Sequence, residues 1–108
     1  MHTLTLPEPI ATYFASEHNP EALAQCFKPD AILKDDGRTY EGVDAITAFL
    51  AAASAKYNAT TVPFDMKDDD GFHVVRAKVT GNFPGSPANL SYRFGLERGL
   101  IGSLEISV

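Results

Sequence analysis

Tryptophan is missing from this chain of 108 residues, methionine occurs twice, and cysteine occurs once. A single cysteine, Cys26, cannot close an internal disulfide; set among apolar residues it reads as a buried, inert thiol in a reducing compartment. Positive charge is also scarce, with nine Lys and Arg against 14 Asp and Glu and a net charge of -5. No basic run or stripe is present to neutralise phosphates, so nucleic acid is not an expected partner. No stretch approaches the roughly 18 to 20 consecutive apolar residues that a membrane span needs, and the first residues lack the basic start and apolar run of a signal peptide. A cytoplasmic location without membrane association is expected. Zinc-ligand spacing is absent, and the run Asp65, Lys67, Asp68, Asp69, Asp70 lacks the spaced ligands and terminal glutamate of a calcium loop, so it reads as a solvated turn. The glycines form no phosphate-binding fingerprint. No metal and no cofactor is expected.

What is present is ordinary for a globular protein: 44% apolar and 21% charged residues, in a length that suits one domain over residues 1–108 with a core of its own. After a loose lead over residues 1–5, Leu6, Ile10, Tyr13, Phe14 and Glu17 keep helical spacing, with Pro7 tolerated in the first turn. His18-Asn19-Pro20 breaks this helix. Asn19 then caps a second helix, whose stripe is Leu23, Cys26 and Phe27 and which Pro29 ends. The stretch from Asp30 to Gly42 reads as two short strands around Asp36-Gly37. A third helix follows, with Asp44 helping to cap it and Ile46, Phe49, Leu50, Ala53 and Tyr57 on one face. From Thr60 onward the period changes to two. Val62, Phe64 and Met66 alternate with Pro63, Asp65 and Lys67, Asp70-Gly71 supplies a hairpin turn, and Val75, Ala77, Val79 and Phe83 continue the apolar face. Pro84-Gly85 fits a type II turn. Leu90, Tyr92, Phe94 and Leu96 form the next face, and Leu100 to Val108 is expected as an edge or near-edge strand. The whole predicts an α+β fold with helices packed on one concave face of an antiparallel sheet.

The inward positions are rich in aromatic residues. Phe14, Phe27, Phe49, Tyr57, Phe64, Phe83 and Phe94, with Tyr13 and Tyr92, either fill the core or leave an apolar pocket under a curved sheet. Asp35 is the polar end of the strand face carrying Ala31 and Leu33, which makes it either a carboxylate at the mouth of such a pocket or the first residue of a solvated turn. His73, in phase with Val75 and Ala77, is either a second acid or base inside the cone or an exposed histidine at a strand end. His2 and His18 are given no role.

Phe27-Lys28-Pro29-Asp30-Ala31 and Tyr40-Glu41-Gly42-Val43-Asp44-Ala45-Ile46, in this order of elements, resemble the nuclear transport factor 2-like superfamily, which includes ketosteroid isomerases and SnoaL-like polyketide cyclases. The resemblance implies a cone-shaped curved sheet wrapped around N-terminal helices, a cystatin-like arrangement. It also implies that Asp35 matches the isomerase general base and Tyr13 its helix-one tyrosine. The late-strand aspartate of that family has no acidic counterpart, since an in-phase alignment offers Tyr92 and a one-residue slip offers Ser91. Proton abstraction beside the carbonyl of a small hydrophobic compound is the expected chemistry, as isomerase, cyclase or lyase; the alternative is a non-catalytic small-molecule-binding or dimerisation module. A homodimer through the outer sheet face is expected as well, with Val74, Pro63 and Ile101 as apolar residues there and charges of both signs around them.

Overall fold

The computed structural model describes residues 4–108, so His2 and most of the N-terminal lead lie outside the described residues. The elements run α1 (Glu8–Ala15), α2 (Pro20–Gln25), β1 (Phe27–Asp35), β2 (Arg38–Glu41), α3 (Val43–Tyr57), β3 (Thr60–Asp69), β4 (Phe72–Thr80), β5 (Ala88–Glu97) and β6 (Leu100–Ser107). The helices pack on one face of a six-stranded sheet of order β2-β1-β6-β5-β4-β3. This is the expected α+β cone. One pairing departs from an all-antiparallel sheet, because β1 and β6 run parallel. That pairing also makes the last strand interior: β6 lies between β1 and β5, and the edges are β2 and β3.

Local chemistry accounts for the element ends. The Asn19 side chain accepts the Ala22 N–H at 3.3 Å and opens α2, with Pro20 in its first turn. That helix stops at Gln25, earlier than Pro29, because Phe27 already pairs with Ile101 as the first residue of β1. Proline has no N–H to give a ladder, and the β1–β6 register is irregular between Phe27 and Ile32, around Pro29. Gly42, at φ 89°, precedes α3, and Asp44 contributes as an acidic first-turn residue rather than as the capping side chain. At Asp36-Gly37 and Asp70-Gly71 both residues have positive φ, as a two-residue type I′ hairpin requires.

Two bulges reverse side-chain phases that strict alternation would assign. In β3 the register shifts between Pro63 and Asp65, so Thr61 and Pro63 pair with the inward Val79 and Ala77, and Met66 with Val75. Val62 and Phe64 therefore turn outward, 56% and 53% exposed. In β6 the shift lies opposite Gly95 and Leu96, leaving Gly102 as the extra residue. Ile101 is thereby carried to the buried side, at 0% exposure. Pro63 and Ile101 consequently leave the outer face on which alternation put them, while Val74 stays there, paired with Lys67 and Arg93. Phe83 is not in a strand, since β4 ends at Thr80. The core is built from Ile10, Leu33, Ile46, Val75, Phe94, Ile101 and Leu104, all nearly inaccessible.

Candidate active site

The packing between helices and sheet does not close at one end, where a cavity of about 1090 Å³ opens. α1 contributes Tyr13 and Phe14 to its wall, α3 contributes Phe49, Leu50 and Tyr57, the loop after β4 contributes Phe83, and β5 contributes Leu90 and Tyr92. Asp35 ends β1 at the same wall, placed there because Ala31 and Leu33, four and two residues earlier, are buried on that face of the strand. Its Cα neighbours are Arg38 on β2 and Ile106 on β6.

Asp35, Tyr13 and Tyr92 thus share one cavity. Phe14, Phe49, Tyr57 and Phe83 complete its aromatic wall, with the Tyr57 and Phe83 rings edge to face at 5.8 Å. Phe27 and Phe94 lie behind the wall in the core, where the Tyr13 ring meets them at 6.0 and 5.3 Å. Phe64 points away from the cavity on the outer side of β3, a consequence of the bulge. His73 is not on the wall: its Nδ1 lies 2.8 Å from Asp68 Oδ1 across the β3–β4 hairpin. The phase of β5 at Ser91 and Tyr92 is fixed by its pairing with β4. Tyr92 faces inward, while Ser91 faces outward and accepts a hydrogen bond from Arg76 at 2.7 Å.

Burial governs the electrostatics. The Asp35 carboxyl is held above the usual carboxylate range by desolvation, and neighbouring Asp36 adds to the shift. Among the described residues no ion pair offsets this. Tyr13 is pushed well above the ordinary phenol value, first by burial and then by the nearby Tyr92, Cys26, Glu17 and Asp35. It is 8% exposed, and nothing in its surroundings lowers its pKa, so its hydroxyl stays protonated and able to donate. Burial pushes Tyr92 up to about 12, with the Thr61 hydroxyl beside it partly opposing the shift.

Glu17, read from the sequence only as part of a helical face, is a second carboxylate on the cavity wall. It accepts the Thr61 N–H at 2.9 Å and the Thr61 hydroxyl at 2.5 Å, tying the end of α1 to β3. Its position four residues after Tyr13 was the available signal, because that spacing puts both on one side of the chain. Among the described residues no three His, Cys, Asp or Glu side chains gather as a metal-ion set. Chemically, the wall combines a carboxylate of raised basicity with phenol donors in an apolar space, the components needed to form and hold an enolate.

The fold has known relatives. The model of the SnoaL-like domain matches residues 11–97. A candidate polyketide cyclase from Sinorhizobium meliloti is 38% identical, with 94% of this chain and 95% of that one aligned at a TM-score of 0.89. A protein of ketosteroid isomerase-like fold from Catenulispora acidiphila, solved with trimethylamine, is 21% identical over 96% of this chain and 87% of its own, TM-score 0.80. A cystatin-fold protein from Novosphingobium aromaticivorans is 18% identical over 98% and 100%, TM-score 0.78, and speaks for the fold alone. No curated protein matches the chain. With a family model spanning most of its length and a solved relative matched over nearly all of it, the chain belongs to the SnoaL-like domain family, of ketosteroid isomerase-like fold.

Proposed function

We propose that the protein is a cofactor-free enzyme acting by proton abstraction on a small hydrophobic carbonyl compound. The observation that carries this reading is Asp35, half-buried and in no ion pair among the described residues, on one cavity wall with the protonated Tyr13 hydroxyl. Asp35 removes the proton beside the carbonyl, and Tyr13 donates a hydrogen bond to the oxygen as it becomes anionic. Tyr92 is a second donor on the same wall. The resulting enolate has three outcomes: reprotonation at another carbon by the Asp35 carboxyl, attack on a second carbonyl with ring closure, or expulsion of a β-substituent. These are isomerase, cyclase and lyase outcomes of one step. The aromatic wall selects an apolar substrate.

Deuterium uptake from heavy water tests the reading. Cyclic enones and β-diketones are incubated with the protein and followed by proton NMR. Wild type is expected to accelerate exchange at the carbon beside the carbonyl, and Asp35→Asn to lower the rate by about 10²-fold or more. Tyr13→Phe should remove a similar factor. Bound compounds that never exchange would overturn it and leave the second reading, a non-catalytic small-molecule-binding or dimerisation module. The absence of an acid at the Tyr92 position favours that alternative.

We also infer a homodimer through the outer sheet face and a cytoplasmic location. The exposed Val62, Phe64 and Ile32, with Val74 between Lys67 and Arg93 on the same face, support the first. The single buried Cys26 thiol suits the second. Among the described residues no helix is long and apolar enough to cross a membrane.

A further inference from the structure

Charge is unevenly placed on the cavity wall. The half-buried charged residues there, Glu17 and Asp35, are both acids, whereas the basic residues, Lys34 and Arg38, are both exposed at the rim. Glu17 already accepts two hydrogen bonds from Thr61. Asp35 has no ion-pair partner among the described residues, although Arg38 is its cross-strand neighbour. A neutral apolar ligand would dry this carboxylate further and leave it without a countercharge, which is unfavourable. The rest of the wall is aromatic, and aromatic faces attract cations. One of these rings already does so within the chain, since Lys56 Nζ sits 5.2 Å from the centre of the Tyr57 ring. Tyr13, only 8% exposed, adds a phenol oxygen to the same wall.

We propose that the cavity binds hydrophobic ammonium compounds, tertiary or quaternary amines with aryl or alkyl arms, placing the positive nitrogen beside Asp35 and the arms against the rings. A hydrated metal ion would gain nothing from the aromatic wall, and a compact hydrophilic amine would leave most of the space unfilled. A tetraalkylated nitrogen carries its charge under a shell of methyl groups, so it matches carboxylate and ring faces together. This ligand class goes beyond proton abstraction and does not rest on it, because Asp35 acts here as a counterion and a quaternary nitrogen has no proton to give.

The test compares benzyltrimethylammonium with neopentylbenzene, which has the same shape and no charge. Dissociation constants are measured by NMR titration on wild type and on Asp35→Asn. Wild type is expected to bind the cation about tenfold or more tighter than the hydrocarbon. In Asp35→Asn that preference should fall towards one while hydrocarbon binding is kept or improved, which also shows that the variant is folded. Should the variant not fold, acidifying wild type until the Asp35 carboxyl is protonated must remove the preference instead. Equal affinity for the two probes in wild type at neutral pH, or a preference that survives neutralisation of Asp35, overturns the proposal. Ammonium preference without any deuterium exchange would sink only the proton-abstraction reading, and exchange without the preference would sink only this one.

Discussion

Asp35 sets a sign for stability as well as for chemistry. Its carboxyl titrates above the usual range because burial disfavours the anion and Asp36 repels it. Across the window from the ordinary carboxylate pKa to the raised one, the folded chain holds a proton that the unfolded chain has released. Stability therefore falls as pH rises through that window and stays lower above it. Asp35→Asn removes the penalty. Its thermal midpoint near pH 7 is expected to lie above that of wild type, and the difference should shrink below the ordinary carboxylate range, where both side chains are neutral. Melting curves by circular dichroism at acid and neutral pH check this; a lower midpoint for Asp35→Asn at neutral pH would mean that the carboxylate has a partner. For the proposed general base, destabilising its own fold is a common trade between stability and activity.

Among the elements, the connection from β4 to β5 does most to shape the cavity mouth, because it holds Phe83 against Tyr57. Two contacts seat it: the Asn82 N–H donates to the Tyr57 carbonyl at 2.7 Å, and the Gly81 N–H donates to Ser86 Oγ at 3.0 Å. A Cβ at Gly81 would stand 2.7 Å from that same Tyr57 carbonyl oxygen, closer than side-chain carbons approach backbone. Gly81→Ala is expected to lose about 1–3 kcal/mol of stability in urea unfolding and to weaken ligand binding by displacing Phe83. Unchanged stability would show that the connection can lift away from α3 freely. This element was only partly legible in the sequence. Pro84-Gly85 announced the turn, and Gly85 does take a positive φ of 87°. The end of β4 at Thr80 was not visible, because Phe83 continued the apolar count while its backbone had left the sheet.

For the whole molecule, the proposed homodimer rests on the outer face of the sheet. Moving Pro63 and Ile101 to the inner side leaves Val62, Phe64, Val74 and Ile32 as its apolar residues, with Arg93 and Asp69 ion-paired at 2.7 Å beside Phe72. A two-fold axis across this face would bury the two exposed β3 side chains and set opposite charges against each other. Sedimentation at micromolar concentration is expected to give twice the chain mass of 11.7 kDa, and Phe64→Glu combined with Val74→Glu to give monomers. A monomeric wild type would remove the dimer. Ile101→Glu is no test of the interface, since Ile101 is wholly buried and its loss would unfold the protomer.

Features with short-range causes were determined by the sequence alone. The long run from Ile46 to Tyr57 makes α3, Asn19-Pro20 opens α2, Asp36-Gly37 and Asp70-Gly71 turn their hairpins, and Ala31, Leu33 and Asp35 share a strand face. Each depends on residues within a few positions of one another, so periodicity and turn chemistry suffice. The tertiary structure alone decided the position of β6 between β1 and β5, the reversed phases of Phe64 and Ile101, the pairing of His73 with Asp68 away from the cavity, and the arrival of Glu17 beside Thr61. The place of β6 and the Glu17–Thr61 contact depend on partners tens of residues apart, such as Phe27 against Ile101, while a single extra residue in one strand exchanges its faces and the His73–Asp68 pair follows from the register of the β3–β4 hairpin. Whether the aromatic residues close into a core or stand around a cavity is decided in the same way. Phe27 and Phe94 are drawn under Tyr13 by sheet packing, while Phe14, Phe49, Tyr57 and Phe83 are left along the opening.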